Sequence, residues 1–467
     1  MNNKTTGTNK MDTILICGYG ISGRAAAELA AEDGKQIIIA DEHTSLEMRT
    51  AAEKLRRKHP DTVFISNWQD GHPLPECDAV VISPGIRKNS ALYKAAAKAL
   101  RPRGHWFSEL EFALRKVHCP FLSITGTNGK TTTTELTTAL LCANGVHAES
   151  SGNIGAALSS CVLEAEKRRI EFLVIETSSF QLENIADFPP CPAAVLNLAS
   201  DHIDRHGSME EYARTKFKVF ASPLPAEKRI MNSNLRPWLE RFLPETPVTT
   251  FSAEDPEADF TLRDSVICWH DRPVFDLNNG SLQGRHNAEN MMAALALLRA
   301  VKGEDALFAQ ETVQALAAFK SSPHRMEIFA RQNGITYVND SKATNPHAVN
   351  AAVRQFADGR NLLLILGGLD KGMDFSELQV SFPHIKQAFL IGSCRETLFS
   401  ELSGKVKCRL TGDFRTAVRD ACAAAVPGDV VMLSPASASM DQFKNYAERG
   451  DRFKQIVQET LRSVKDK

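Results

Sequence analysis

Thr125-Gly126-Thr127-Asn128-Gly129-Lys130-Thr131-Thr132 is the stretch on which the reading of this chain turns. The apolar run Pro120-Phe121-Leu122-Ser123-Ile124 precedes it and a helical pattern follows, so it lies at a strand–turn–helix junction. Gly129-Lys130-Thr131 is the ending of a phosphate loop. Backbone amides at such a junction point at phosphate oxygens. A lysine there reaches the β- and γ-phosphates, and the following hydroxyl holds Mg²⁺. Gly126, Thr127, Asn128, Gly129, Lys130, Thr131 and Thr132 are therefore the expected ATP-binding loop. The strict form of the motif asks for glycine at position 124, where this chain has Ile124.

On either side, short apolar runs alternate with helical patterns, the mark of layered α/β domains built on parallel sheets. Upstream, Thr13–Cys17 runs into Gly18-Tyr19-Gly20-Ile21-Ser22-Gly23, and a second run, Gln36–Ala40, ends at Asp41. A third, Asp78–Ile82, ends at Ser83-Pro84-Gly85. The glycine turn has the GxGxxG spacing, which lets backbone amides approach a diphosphate. By itself it suits a nicotinamide dehydrogenase as well as any other nucleotide binder.

Downstream, Phe172–Ile175 leads into Glu176-Thr177-Ser178-Ser179-Phe180-Gln181, and Ala194–Asn197 leads toward Asp201-His202-Ile203-Asp204-Arg205-His206. An acidic strand end beside a phosphate loop is well placed for Mg²⁺ or its water. The second cluster could ligate zinc, although Mg²⁺ beside the phosphate loop is the more economical reading. Residues 222–282 are irregular and are read as smaller strands, before a long helix from Asn287. Near Pro323 a third unit begins, with buried runs at Ile335–Val338, Leu362–Leu366 and Val430–Leu433. Two of these end in lysine-bearing turns, Asn339–Asn345 and Gly367–Gly372, and the last in Ser434–Ser439. Ligands of such sheets bind beyond the carboxyl ends of the strands, which is where every polar cluster falls.

The expected architecture is α/β in three domains: 1–112 Rossmann-like, 113–322 a P-loop ATPase-like centre, and 323–467 Rossmann-like again. Composition agrees. The 467 residues carry 55 Lys+Arg against 56 Asp+Glu, a balance with no field for nucleic acid or an anionic membrane. No stretch approaches the roughly 20 apolar residues of a membrane span. Ten cysteines without a CxxC pair read as reduced thiols in a cytoplasmic protein.

In this order the motifs resemble the Mur ligases of bacterial cell-wall synthesis, from about Ile14 to Phe453. Ser83–Ile86, Thr125–Thr132, Ser151–Gly155, Ser178–Glu183, Asp201–Gly207, Gly284–Asn287, Asn339–Asn345 and Leu433–Arg449 carry the likeness. Within that family the lack of glycine at position 124 is normal. The resemblance implies the branch that adds D-glutamate to UDP-N-acetylmuramoyl-L-alanine through an acyl phosphate, using ATP and Mg²⁺, as a cytoplasmic monomer. The late Asp-Asn-Pro-Arg motif of the diaminopimelate- or lysine-adding branch is absent. Folylpolyglutamate synthase lacks the first, uridine-binding domain.

Site roles are also implied by the resemblance. Gly18, Gly20, Ile21, Asp41, Ser83, Pro84 and Gly85 would take the uridine diphosphate, replacing the dehydrogenase reading, with Asn153 near the muramoyl group. Asn287, Asn290, Arg325 and Asp340 would complete the nucleotide site. Thr131, Glu176, His202 and Lys216 would serve Mg²⁺, Lys216 as a carbamate. Lys130, His202, Lys216 and Lys342 would carry catalysis, and Thr344, Lys371, Ser439 and Tyr446 would receive D-glutamate. Tyr446 stands where phenylalanine is commoner, and Ser437 where cysteine often stands. Because an acyl phosphate hydrolyses in water, the third domain is expected to close over the second.

Overall fold

The computed structural model describes residues 12–154, 156–320, 322–369 and 373–465. Its strands form three sheets. In the first, β1 (Thr13–Cys17), β2 (Gln36–Ala40), β3 (Val63–Ile65), β4 (Cys77–Ile82) and β5 (Leu100–Ser108) pair in the order β3-β2-β1-β4-β5, with all pairings parallel. β1 is buried along its whole length, as a strand covered by helices on both faces must be.

The second sheet is larger. β6 (Phe121–Thr125), β7 (Ala148–Gly152), β8 (Phe172–Glu176), β9 (Ala193–Val195), β10 (Arg229–Asn232), β11 (Thr249–Ser252), β12 (Phe260–Arg263), β13 (Val266–Trp269) and β14 (Arg272–Asp276) run in the order β14-β13-β12-β11-β10-β9-β6-β8-β7. The irregular residues between 222 and 282 thus extend the sheet, ending in an antiparallel meander from β12 to β14. Short strands with tight turns pair in sequence order, because antiparallel neighbours need no crossover helix.

The third sheet comprises β15 (Glu327–Gln332), β16 (Ile335–Asn339), β17 (Leu362–Gly367), β18 (Ile385–Ile391), β19 (Cys408–Leu410) and β20 (Val430–Leu433), ordered β15-β16-β20-β17-β18-β19. It is parallel except at the edge, where β15 pairs antiparallel with β16.

Apolar packing joins the first two sheets. One buried cluster combines Ile14, Ile16 and Leu29 from the first unit with Leu158, Leu173 and Phe220 from the second. The helices Ile21–Glu32, Glu109–Leu114 and Leu158–Arg168 supply the shared layer. Among the described residues, the two apolar clusters of the third sheet contain only residues from Met326 onward.

Candidate active site

At the end of β6 the chain turns through Gly126 (φ 152°) and Gly129 (φ 82°) before the helix Lys130–Ala143. The left-handed φ of Gly129 favours glycine, and a Cβ there would lie 2.1 Å from Asn290 Oδ1 on the helix Arg285–Lys302. Ile124, where the strict motif has glycine, is a fully buried residue within β6. The loop begins at Gly126, so position 124 needs no backbone freedom.

Two ammonium groups converge on this loop. Lys130 Nζ donates to the carbonyls of Gly126 (2.9 Å) and Thr127 (2.8 Å). Lys216, 1% exposed on the helix Met209–Phe217, donates to the same Gly126 carbonyl at 2.8 Å. Burial lowers the pKa of both lysines, that of Lys216 well below the ordinary value, with the Lys130 charge adding to the effect. Each is poised to gain from an anion, because a phosphate would offset the desolvation of the charge.

Beside them runs a chain of hydrogen bonds that crosses from the second sheet to the third. Asn153 Nδ2 donates to Glu176 Oε1 (2.8 Å), Thr131 Oγ1 donates to Glu176 Oε2 (2.7 Å), and Lys342 Nζ donates to Thr131 Oγ1 (3.2 Å). Lys342 also lies 4.8 Å from the Tyr446 ring centroid. Burial, reinforced by the nearby Arg325 guanidinium, brings the Lys342 pKa down to about 7. Asp340 is pushed up to about 7 by burial. Its two oxygens accept from Met326 N (3.1 Å) and Ser434 Oγ (2.8 Å), which holds the turn after β16. Arg325 presents a buried Nε with no hydrogen-bond partner among the described residues, a donor suited to an anionic ligand.

Other expected residues are placed as follows. Thr127 Oγ1 bonds the Tyr212 hydroxyl at 3.1 Å, and Thr132 is buried in the first helical turn after the loop. Asn287 Nδ2 donates to the Gln283 carbonyl at 2.9 Å, and Asn290 Oδ1 accepts from Thr133 Oγ1 at 3.3 Å. His202 caps a short helix, Ile203–His206, with a left-handed φ of 57°. Its ring sits 4.6 Å from that of Phe180, and its Nε2 lies 3.6 Å from Asp201 Oδ1. Thr344 is half-buried, Ser439 is buried, and Tyr446 opens the helix Tyr446–Lys465. Lys371 lies outside the described residues.

The glycine turn of the first sheet is a separate construction. Gly18 has φ 87°, and Ser83 Oγ donates to its carbonyl at 2.8 Å. A Cβ on Gly23 would fall 1.8 Å from the same carbonyl, so the third glycine is needed for helix and turn to touch. Asp41 accepts from Tyr19 N (2.6 Å) and His43 N (2.8 Å), so both carboxylate oxygens hold neighbouring turns. Ile21 is 71% exposed above the turn. The Ser83-Pro84-Gly85-Ile86 turn is closed by Ile86 N donating to the Ser83 carbonyl at 3.0 Å.

Several contributors escaped sequence reasoning. Asn197 accepts from Asn128 N (2.8 Å) and donates to the Asn128 carbonyl (3.1 Å). From the third sheet's side, Asn345 Nδ2 donates to Asn128 Oδ1 (3.3 Å), while Asn128 Nδ2 and His347 Nδ1 lie 2.9 Å apart. Asn197 closes an apolar run and was findable by the strand-end rule. Nothing local marks His347 or Tyr212.

For Mg²⁺ the fit is partial. Glu176 and the Thr131 hydroxyl are oxygen donors of the kind this ion takes. Among the described residues no group of three or more His, Cys, Asp or Glu gathers closely enough to hold an ion alone. That suits an ion carried largely by substrate phosphates, the usual state of Mg²⁺ in nucleotide sites. An ammonium ligates no cation, so Lys216 could enter such a shell only after its charge is removed.

Comparison with known proteins identifies the family. Residues 124–298 match the Mur ligase middle domain, and residues 324–437 match the Mur ligase, glutamate ligase domain. The chain is 34% identical over 449 residues to the UDP-N-acetylmuramoylalanine–D-glutamate ligase of Geobacillus kaustophilus, covering 94% of this chain and 96% of that protein. It is 34% identical over 471 residues to the enzyme of that name from Acidobacterium capsulatum, covering 95% of each. Among solved structures, the UDP-N-acetylmuramate-alanine ligase of Thermotoga maritima shares the fold with a TM-score of 0.58 at 15% identity, over 97% of this chain and 100% of that one. The MurF ligase of Thermotoga maritima in complex with ADP also superimposes with a TM-score of 0.58, at 18% identity, over 83% of this chain and 90% of that one. With its phosphate loop, its three sheets and relatives alike over nearly their whole length, the chain belongs to the Mur ligase family, among the UDP-N-acetylmuramoylalanine–D-glutamate ligases.

Proposed function

We infer that this protein is an ATP-dependent amide ligase that joins D-glutamate to UDP-N-acetylmuramoyl-L-alanine in peptidoglycan precursor synthesis. The observation that carries the reading is the Asn153–Glu176–Thr131–Lys342 chain at the phosphate loop. It brings a metal-type carboxylate, a phosphate-loop hydroxyl and a lysine from another sheet to one point.

A carboxylate is a poor acyl donor because oxide is a poor leaving group. In the proposed reaction a bond forms between a substrate carboxylate oxygen and the γ-phosphorus of ATP, and the bond to ADP breaks. The amine of D-glutamate then attacks the acyl phosphate, phosphate leaves with the carboxylate oxygen, and the amine gives up a proton. Lys130 and Lys342 neutralise charge on the transferring phosphoryl group, with Arg325, Asp340, Asn287 and Asn290 framing the nucleotide.

Thr131 and Glu176 are the residues that would hold Mg²⁺, with His202 and a carbamylated Lys216 beside them. The ion, when bound, supplies further charge neutralisation at the phosphates. The depressed pKa of Lys216 supports its modification, since only a neutral amine adds to CO₂ and the product is an anion. Gly18, Gly20, Ile21, Asp41, Ser83, Pro84 and Gly85 form the uridine diphosphate site. Thr344, Lys371, Ser439 and Tyr446 receive D-glutamate.

We assign 1–112, 113–322 and 323–467 as the domains for the sugar nucleotide, ATP and D-glutamate respectively. A cytoplasmic monomer fits the free state of all ten cysteines, and no described helix is long and apolar enough to cross a membrane.

The test is phosphate release from ATP, Mg²⁺, UDP-N-acetylmuramoyl-L-alanine and D-glutamate, with each omitted in turn. Release should need all of them. Lys130→Ala should lower turnover by at least about 10²–10³-fold. Undiminished release by that variant, or release without D-glutamate at the full rate, refutes the assignment.

A further inference from the structure

The motifs Ser178–Glu183 and Asp201–Gly207 contain more than the mechanism uses. Of their residues it uses only His202, yet a buried Arg205–Glu183 pair stacks on the half-buried Phe180 ring beside it. Arg205 Nε and Nη2 donate to Glu183 Oε2 at 2.9 and 2.6 Å, with side-chain exposures of 6% and 8%. The same Nη2 donates at 3.2 Å to the carbonyl of Ile86 in the Ser83–Ile86 turn of the first sheet's unit. The guanidinium carbon stands 4.1 Å over the Phe180 ring, and the His202 and His206 rings lie 4.6 and 6.1 Å from that same ring. One arginine thus touches the sugar-nucleotide turn at one end and the ring that packs against His202 at the other.

Local geometry makes this a stiff connection. His202 and Arg205 belong to one short helical turn, entered through the left-handed φ of 57° at His202, and Arg205 N donates to the His202 carbonyl at 3.0 Å. Ile86 is held against the glycine turn, because a Cβ on Gly18 would meet its side chain at 3.1 Å. A buried arginine satisfied by a carboxylate, a carbonyl and an aromatic face has little freedom to move alone. Arg87 and Asp204 bridge the same two units at 2.9 Å, but with side-chain exposures of 52% and 37%.

We propose that Arg205 is a positioning residue that couples occupancy of the sugar-nucleotide turn at Ser83–Ile86 to the placement of His202 beside the phosphate loop. The proposal rests on the sugar-nucleotide reading of that turn. It explains why an arginine is needed: a lysine has neither the fork to serve Ile86 and Glu183 together nor the plane to stack on Phe180.

Two binding measurements test it without relying on turnover. By titration calorimetry, Arg205→Met and the gentler Arg205→Lys should bind UDP-N-acetylmuramoyl-L-alanine about 10–100-fold more weakly than the parent, with ATP affinity unchanged. Arg87→Ala, which removes only the exposed pair, should weaken binding by about threefold or less. With histidine-labelled protein, the sugar nucleotide should shift the His202 ring signals of the parent, and saturating ligand should fail to shift them in Arg205→Lys.

Should Arg205→Met not fold, Arg205→Lys alone decides the matter. A parent-like affinity together with a parent-like His202 shift in the lysine variant overturns the coupling, as does an equal loss of ATP and sugar-nucleotide affinity. A parent that does not bind the sugar nucleotide overturns this inference and the function proposed above together. A parent that binds it and turns over, with Arg205 variants that behave alike, overturns this inference alone.

Discussion

The two junctions of this molecule are built from different materials. Between the first and second sheets, Leu158, Ile170, Leu110 and Leu29 share one buried cluster, and the buried Glu109 carboxylate accepts from Ser159 N (3.2 Å) and Ser159 Oγ (2.6 Å) across it. Between the second and third, the contacts around the phosphate loop are polar: Lys342 with Thr131, Asn345 with Asn128 and Asp201, and His347 with Asn128. Buried apolar area contributes about 25 cal/mol per Å² and cannot be exchanged for water without loss. A hydrogen bond contributes only about 0.5–1.5 kcal/mol net, because water replaces it when it opens. The first junction is suited to stay shut and the second to open and close, and the proposed chemistry sits at the second.

The largest effect should come from the apolar junction. Leu158→Ala should cost about 2–5 kcal/mol of stability by denaturant unfolding, with KM for ATP and D-glutamate held near the parent's. An undiminished midpoint would show that the shared cluster does not bind the two units together. At the polar junction, Asn345→Ala with His347→Ala should lower kcat about 10-fold or more from the three lost bonds, with a stability loss of about 0.5–2 kcal/mol from the helix cap that Asn345 Oδ1 gives Ala348 N. Scattering should show the parent, but less of the variant, becoming more compact with nucleotide and sugar nucleotide. A variant as compact as the parent would remove Asn345 and His347 from closure.

The smallest effect is a fraction of a proton. Lys342, with a pKa of about 7 in the ligand-free protein, is partly neutral between pH 7 and 8. A bound phosphate raises a lysine's pKa, so nucleotide binding should take up protons in that window and less at pH 6, where Lys342 is already charged. Calorimetry in buffers of different ionisation enthalpy reads this, and Lys342→Met should reduce the uptake. Proton release by the parent would contradict the sign.

Strand interiors of this fold were legible because buried parallel strands are nearly continuous apolar runs: Thr13–Cys17, Gln36–Ala40 and Val430–Leu433 are strands with those limits. Leu100–Ser108 was not, since its Arg101, Pro102, Arg103 and Gly104 hide a strand whose pairing register shifts between Cys77 and Ala79 on its neighbour. The run Ala194–Asn197 breaks early, at Val195, because Asn197 turns its carbonyl and side chain to the phosphate loop instead of a ladder. Local motifs revealed the loop, the acidic strand end and Lys342. Partners from distant segments, such as Tyr212, His347 and the Arg205–Ile86 bond, leave no periodic or compositional trace, because only the fold brings them together.

The ligase mechanism stands on transfer of a phosphoryl group to a substrate carboxylate. The most direct measurement uses UDP-N-acetylmuramoyl-L-alanine labelled with ¹⁸O in its carboxylate, turned over with ATP and D-glutamate, followed by mass analysis of the released phosphate. Label carried from the carboxylate into inorganic phosphate is the expected result. Unlabelled phosphate accompanied by amide product would contradict an acyl phosphate.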